Sequence, residues 1–225
     1  MIAVPTVFNS TLRRLTWVAA AGLLAGCAGT APHYYSLQGG EPEPRSATMV
    51  KADYAISVQP VVVPQQVARP QIVVRMEPGS EVVPLNSSLW VGPLESQIRG
   101  ALAAELSRRL NVLDVGGASA GEGVPVWRVY VDLQRFDSLY GREIQQEVVW
   151  RLVPQAMPKG AKERVCSAQV TRPVETGMSA LVEGHREALA GVAAAIAQSL
   201  PASGTASAKA ANELPNGVAF RGCVE

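Results

Sequence analysis

The stretch Val126-Trp127-Arg128-Val129-Tyr130-Val131-Asp132-Leu133-Gln134-Arg135-Phe136 decides the fold of this chain. Apolar and polar side chains alternate along it, which is the pattern of a strand with one buried face and one face toward water. The predicted buried face carries Trp127, Val129, Val131 and Leu133, and the opposite face carries Arg128, Asp132 and Gln134. It is the most clearly patterned strand of the sequence.

Further strands are predicted on both sides of this stretch. Residues 144–153 alternate in the same way, and residues 161–174 follow a turn that begins at Pro154 and ends at Gly160. Upstream, shorter strands are predicted over 56–63, 69–75 and 81–84, with a turn at Pro78-Gly79-Ser80. Residues 111–115 are predicted as one more strand.

Two amphipathic helices separate these strands. The first is predicted over 94–110, with Pro93 in the position that proline favours at a helix start. Its apolar side chains recur every four residues and are Leu94, Ile98, Leu102, Leu106 and Leu110. Such a stripe packs on the protein's own sheet or forms a groove for a partner. The second helix is predicted over 178–200 with His185 on its apolar side, and it ends before Pro201.

The order of strands, helix, strands and helix predicts an α+β fold. We expect a single domain with a mostly antiparallel sheet and two main helices packed on one face, preceded by a lipidated tether. The chain that remains after removal of a signal peptide has a length that suits one domain.

The N-terminus carries the motif Leu24-Ala25-Gly26-Cys27 after two arginines and a short apolar run. This is the layout of a secretory signal, and the run is too short for the ~20 residues of a membrane span. A cysteine after the small pair resembles a bacterial lipobox, so we predict lipidation at Cys27. Ala28 in the next position favours sorting to the outer membrane, facing the periplasm. The alternatives are an ordinary signal with a chance cysteine and a twin-arginine signal.

The sequence therefore predicts four segments. They are a signal peptide (1–26), the lipidated cysteine and tether (27–53), an α/β periplasmic domain (54–200) and a low-complexity tail with a C-terminal cysteine (201–225). The run Tyr34-Tyr35-Ser36-Leu37 interrupts the composition of the tether and predicts a short strand or a clamp onto the domain.

Two cysteines remain after Cys27 is assigned to lipid. Cys166 and Cys223 would lie in an oxidising compartment, where two spare thiols usually pair. The sequence predicts a disulfide between them, and the alternative is that both are free.

Several function classes are disfavoured by the sequence. A net charge of +1 at pH 7 argues against binding of nucleic acid. His33 and His185 are far apart and no two-residue cysteine spacing occurs, so we expect no metal and no cofactor. The run around Ser119 matches the Gly-x-Ser-x-Gly elbow of hydrolases, but a strand rather than a helix follows it. We predict no catalytic residue and a non-enzymatic protein.

Several stretches together resemble the PqiC-like lipoproteins, the auxiliary lipoprotein components of MCE-type ABC transport systems. These stretches are 34–37, 61–64, 69–75, 90–94 and 127–136. The resemblance covers residues 27–200, and Arg-Pro-Gln-Ile-Val-Val-Arg at 69–75, followed by Trp90 and the leucine helix, is its most specific part.

The resemblance implies an adaptor of a lipid transport system that spans the envelope and supports membrane integrity. Its partners would be an MCE-type periplasmic protein, the inner-membrane partner of that protein, and the outer membrane through the lipid anchor. The resemblance is also compatible with a homo-oligomeric ring. Arg69, Arg75 and Trp90 are the positions carried over, either as partner contacts or as residues that fix the hairpin against the first helix. The alternative function is a lipoprotein assembly factor for lipopolysaccharide or outer-membrane proteins.

Overall fold

Eight strands and two helices form the part of the chain that the computed structural model describes, namely residues 31–39, 53–76, 81–116, 123–200 and 214–225. The strands are β1 (His33–Tyr35), β2 (Ala55–Val58), β3 (Gln71–Val74), β4 (Val83–Trp90), β5 (Val126–Leu139), β6 (Glu143–Gln155), β7 (Arg164–Pro173) and β8 (Val218–Val224). The helices are α1 (Leu94–Leu110) and α2 (Met178–Ser199). All belong to one unit, His33–Glu225, and the predicted α+β class is confirmed.

The larger sheet has five strands in the order β2-β5-β6-β7-β8. The pairs β5–β6, β6–β7 and β7–β8 are antiparallel, whereas β2 runs parallel to β5. Val131, Trp150 and Cys166 lie opposite one another on three adjacent strands, and all three are buried. The alternation predicted for the strand that opens at Val126 is confirmed, since its apolar face is inside and Arg128 is exposed.

The smaller sheet has three strands in the order β1-β4-β3. β1 runs parallel to β4, and β3 runs antiparallel to it. The smaller sheet joins β5 through the backbone of Arg75. Its backbone N–H donates to the carbonyl of Ser138 at 2.8 Å, and its carbonyl accepts the backbone N–H of Tyr140 at 2.9 Å. The core therefore continues from one sheet into the other.

Both helices pack on one face of the larger sheet, as predicted. The five residues of the leucine stripe on α1 are all buried. α2 contacts β6, β7 and β8, and its small side chains allow a close approach. A Cβ atom on Gly191 would lie 2.8 Å from Cγ2 of Val218, so a larger residue here would require Val218 to move. Within the described ranges, no helix combines the length and apolar character that a membrane span requires.

The structure differs from the sequence prediction in the N-terminal strands. β2 ends at Val58, and Val62 makes only a single bridge to Asp132, because Pro60 and Pro64 lack the N–H groups that a continuous ladder needs. The strand predicted over 111–115 is reduced to one bridge between Asp114 and Ile56. β4 instead extends to Trp90 and forms the centre of a second sheet, which was not predicted.

Candidate functional site

Trp90, the first of the positions carried over from the family resemblance, lies at the junction of the two sheets. It is the last residue of β4 and is buried, and its backbone N–H donates to the carbonyl of Pro70 at 2.8 Å. Its ring meets that of Phe136 edge to face, with centroids 6.5 Å apart and planes inclined by 69°. Since Phe136 belongs to β5, Trp90 holds the smaller sheet against the larger one.

Arg75 and Arg69 occupy different environments. The guanidinium of Arg75 lies 3.7 Å from the carboxylate of Asp137 on β5, a partly exposed pair that contributes at most about 1 kcal/mol. Arg69 lies in the turn before β3, where its N–H donates to the carbonyl of Val67 at 2.8 Å. Of the three carried-over residues, Arg69 is the one that is exposed.

A small cavity lies where β3 passes β5. Val74, Arg75, Phe136 and Ser138 are among its lining residues, and its volume is about 10 Å³, roughly what a single water molecule requires. An acyl chain does not fit into this space, so the cavity is not a site for lipid cargo.

His185 is the centre of a buried polar cluster between α2 and the larger sheet. Its Nε2 lies 2.7 Å from Oγ of Ser138 on β5, and its Nδ1 lies 3.2 Å from the side-chain nitrogen of Gln146 on β6. His185 lies on the buried, apolar side of α2, as predicted. Burial lowers the pKa of His185 to about 3, so the ring is neutral at physiological pH.

The contact between Ser138 and His185 involves the residue types of a hydrolytic pair, but the pair is sealed inside the protein. His185 is 0% exposed and Ser138 is 4% exposed, so no substrate reaches either atom. The cluster therefore orders α2 against the sheet.

The disulfide predicted from the sequence is present between Cys166 on β7 and Cys223 on β8. This bond links the C-terminal strand β8 covalently to β7. Phe220 adds a second contact, because its ring stacks on that of Trp150 with centroids 5.8 Å apart. Glu225, directly after β8, accepts hydrogen bonds from the side chains of Lys162 and Arg164, and these hydrogen bonds lower the pKa of its carboxyl group.

The face of the larger sheet opposite the helices, called the open face here, is a candidate interaction surface. Its side chains alternate with the buried ones and include Tyr130, Asp132, Arg135, Glu147, Val149, Arg151, Ser167 and Gln169. The guanidinium carbon of Arg151 lies 4.5 Å from the centroid of the Tyr130 ring, and an Arg151 nitrogen lies 3.3 Å from the carboxylate of Glu163. Arg135 lies 3.6 Å from the Glu147 carboxylate. The open face thus combines charged pairs with apolar side chains such as Val149.

The clamp predicted from Tyr34-Tyr35-Ser36-Leu37 is formed by β1 and the residues after it. Leu37 is buried, and its N–H donates to Oε1 of Gln97 on α1 at 3.0 Å, while Nε2 of Gln97 donates to the carbonyl of Gly92 at 3.0 Å. A Cβ atom on Gly100 would meet the side chain of Gln38, so the segment lies directly against α1. We call Gln97 and residues 33–39 the N-terminal clamp.

Gln97 and Gln146 were not predicted as important positions. Each is a polar residue on a face that is otherwise apolar, Gln97 three residues after Leu94 and Gln146 between Ile144 and Val148. A polar group at such a position needs a hydrogen-bond partner when it is buried, and this was the signal available in the sequence.

Two predicted positions lie outside the described residues. They are the lipidation site Cys27 and the candidate hydrolase serine Ser119. In the ranges that the structure does describe, no cluster of three or more metal-ligating side chains occurs.

The chain is similar to one described protein family and to several solved structures, two of which are compared below. A family model for the "ABC-type transport auxiliary lipoprotein component" matches residues 35–197. A crystal structure described only as that of an uncharacterized protein is 21% identical with a TM-score of 0.55, and the match covers 76% of this chain and 99% of that one. A Xanthomonas campestris protein of the family DUF330 is 18% identical with a TM-score of 0.51, covering 72% and 90%. At these identities the two structures show the fold alone. No curated protein matches the chain.

Proposed function

This chain belongs to the family of ABC-type transport auxiliary lipoprotein components, and on this premise we propose that it is the outer-membrane adaptor of an MCE-type lipid transport system. Membership makes it a membrane-anchored, non-catalytic component of a transporter. The proposal adds the outer membrane, the lipid cargo, and an MCE-type periplasmic protein with its inner-membrane partner. The observation that supports it is the family match over residues 35–197, which includes β2 to β7, α1 and nearly all of α2.

The anchor in this proposal is a lipid on Cys27. The lipobox motif supports it, and Ala28 supports export to the outer membrane rather than retention. One acyl chain binds a membrane only marginally, so the multiple chains of a bacterial lipoprotein would make the attachment stable. The folded body would then remain on the periplasmic side as a docking platform.

We further propose that the partner protein binds the open face. The helices occupy the other face of the larger sheet, whereas the open face leaves Tyr130, Val149 and Arg151 accessible in part. Aromatic, aliphatic and arginine side chains together are the composition of a protein interface. A homo-oligomer is compatible with this arrangement, because β1 and β8 lie at sheet edges and could pair with a second copy of the chain.

Site-directed photocrosslinking in cells tests this proposal. A photoreactive residue replaces Val149 on the open face, and the matched control replaces Glu183 on the exposed side of α2. We expect an MCE-type protein to be crosslinked from position 149 and not from position 183, and mass spectrometry identifies it.

Other products would overturn parts of the proposal. Machinery for lipopolysaccharide or outer-membrane protein assembly at position 149 would replace the transport role with the assembly role. An MCE-type protein captured from position 183 instead would keep the transport role and move the interface to the helices.

A further inference from the structure

The N-terminal clamp leaves only a very short connection between Cys27 and the folded body. The inference that follows rests on the proposed lipidation of Cys27. Only the linker of residues 28–32 separates Cys27 from His33, the first residue of β1. Six residue steps span at most about 22 Å when fully extended. A unit of this size has a radius of gyration of about 16 Å and is therefore roughly 40 Å across. The body cannot turn every side to the membrane on so short a linker.

The linker enters β1 at His33, opposite Ser88 on β4, and this strand pair carries two exposed apolar side chains within a few residues of that point. Tyr34 on β1 is 62% exposed, and Val91 after β4 is 63% exposed. Tyr34 lies opposite Leu89 on β4, and Val91, two residues further along, donates its backbone N–H to the carbonyl of Tyr35 at 2.9 Å. Arg69 lies at the same end of the smaller sheet, because it precedes Pro70, whose carbonyl accepts the N–H of Trp90. We call Tyr34, Val91 and Arg69 the linker-proximal surface.

We propose that the linker-proximal surface rests on the phospholipid surface of the membrane that holds the Cys27 lipid. Tyrosine is favoured at a membrane interface because its ring is apolar and its hydroxyl remains hydrated. Val91 adds apolar area, and the Arg69 guanidinium matches lipid phosphate. Contact at this end sets the orientation of the body, with α1 leading away from the membrane.

The other end of the smaller sheet fits a lipid surface less well. Met76 and Val82 are exposed there, but Glu81 is also exposed beside them, and a carboxylate is repelled by anionic headgroups. Glu95 in the first turn of α1 is the acidic residue nearest in sequence to Val91; it is half-buried and lies where the helix dipole favours a negative charge.

A matched pair of positions makes this orientation measurable. Leu113 is 66% exposed, as Val91 is, but it follows the other end of α1, a helix of 17 residues and thus about 25 Å long. Tyr34→Cys, Val91→Cys, Met76→Cys and Leu113→Cys are each made in the lipidated full-length protein and labelled with a fluorophore. Cys166 and Cys223 are joined and the lipid blocks Cys27, so the new thiol is the reactive one.

The labelled proteins are reconstituted into vesicles of phosphatidylethanolamine and phosphatidylglycerol that contain nitroxide-labelled lipid. We expect quenching at positions 34 and 91 to exceed that at 113 several-fold, with 113 close to the value in detergent. Equal quenching at 91 and 113 would overturn the proposal, and so would quenching that is greatest at 76. Cys27→Ala protein that binds the vesicles as well as the parent would instead contradict the lipid anchor itself, which separates the two failures.

Discussion

The imidazole ring of His185 stacks on the phenyl ring of Phe136, with centroids 4.1 Å apart and planes inclined by 10°. Phe136 in turn meets Trp90 edge to face, so successive ring contacts connect α2, β5 and β4. These contacts join the two sheets to the helix layer. Because the central ring pair is buried, the protonation state of His185 affects how firmly these layers hold together.

The first prediction is a loss of stability below neutral pH that comes from His185. Its pKa is about 3 in the folded protein and 6.5 in the unfolded reference. The unfolded chain therefore binds the proton first, and stability present above pH 6.5 declines as the pH falls toward 3. Between about pH 7 and about pH 5.5 this costs about 1 kcal/mol.

Urea unfolding at the two pH values measures this effect. His185→Gln should remove most of the pH slope, and His33→Gln, which changes the exposed histidine, should keep it. Glu225 does not confuse the result, because its pKa is lowered and lies below this range. A slope that survives in His185→Gln would show that another group is responsible.

The second prediction concerns Ser138, the partner of His185. Ser138→Ala leaves Nε2 of His185 without this hydrogen bond in a dry site, and we expect a loss of about 1–3 kcal/mol in the free energy of unfolding. Ser167→Ala on the open face is the control, with an expected change within about 0.5 kcal/mol. Chemical denaturation at neutral pH compares the two. Equal effects would mean that the hydrogen bond to His185 contributes nothing specific.

The third prediction is that the disulfide is the main attachment of β8. The bond between Cys166 and Cys223 spans 57 residues, and in the chain-entropy model it stabilises the fold by about 4 kcal/mol. Reductant should lower the unfolding midpoint of the parent protein and leave Cys223→Ala unchanged. Hydrogen exchange in residues 218–224 should rise in both the reduced parent and the variant. Unchanged exchange there would show that pairing with β7 and the Phe220 stack suffice.

The elements that the sequence predicted well are those whose signal is local. Alternation between neighbouring residues was enough for β5, and four-residue spacing was enough for the stripe from Leu94 to Leu110. Cys166 and Cys223 were predicted to pair because few alternatives existed for two thiols. Even so, the strand around Cys223 was assigned to a low-complexity tail, although it completes the larger sheet as β8.

What was missed depends on contacts between residues distant in the chain. The parallel pairing of Ile56 with Trp127 places β2 at a sheet edge, and nothing in the local pattern of either strand specifies its partner. The arrangement of two sheets has the same origin. The smaller sheet meets β5 at the bridge between Arg75 and Leu139, which are distant in the chain. Gln97 and Leu37 are 60 residues apart, so their hydrogen bond was visible in the sequence only as a polar residue on an apolar face.

The fourth prediction tests the anchor. Lipid on Cys27 is the attachment we propose, on the basis of the lipobox motif Leu24-Ala25-Gly26-Cys27. Cys27→Ala should move the protein from the membrane fraction to the soluble periplasmic fraction. Cys223→Ala is the control, because it removes a cysteine and the disulfide but keeps Cys27, and it should remain with the membrane. Retention of the Cys27→Ala protein in washed membranes would contradict lipidation as the means of attachment.

The fifth prediction links the N-terminal clamp to the orientation of the body. Gln97→Ala removes the acceptor for the buried N–H of Leu37, and we expect the amides of residues 33–39 to exchange faster while the sheets remain protected. With the clamp open, 26 residue steps separate Cys27 from Asp53, and the connection lengthens from about 22 Å to roughly 90 Å.

A connection of that length exceeds the diameter of the body, so the orientation should no longer be fixed. Quenching of a label at position 91 by membrane lipid should therefore fall toward the value at 113 in Gln97→Ala. Gln155→Ala, which changes an exposed glutamine at the end of β6, should leave both exchange and quenching as they are in the parent. If the clamp opens by exchange but quenching at 91 persists, Tyr34 and Val91 must hold the membrane by their own affinity rather than through the short linker.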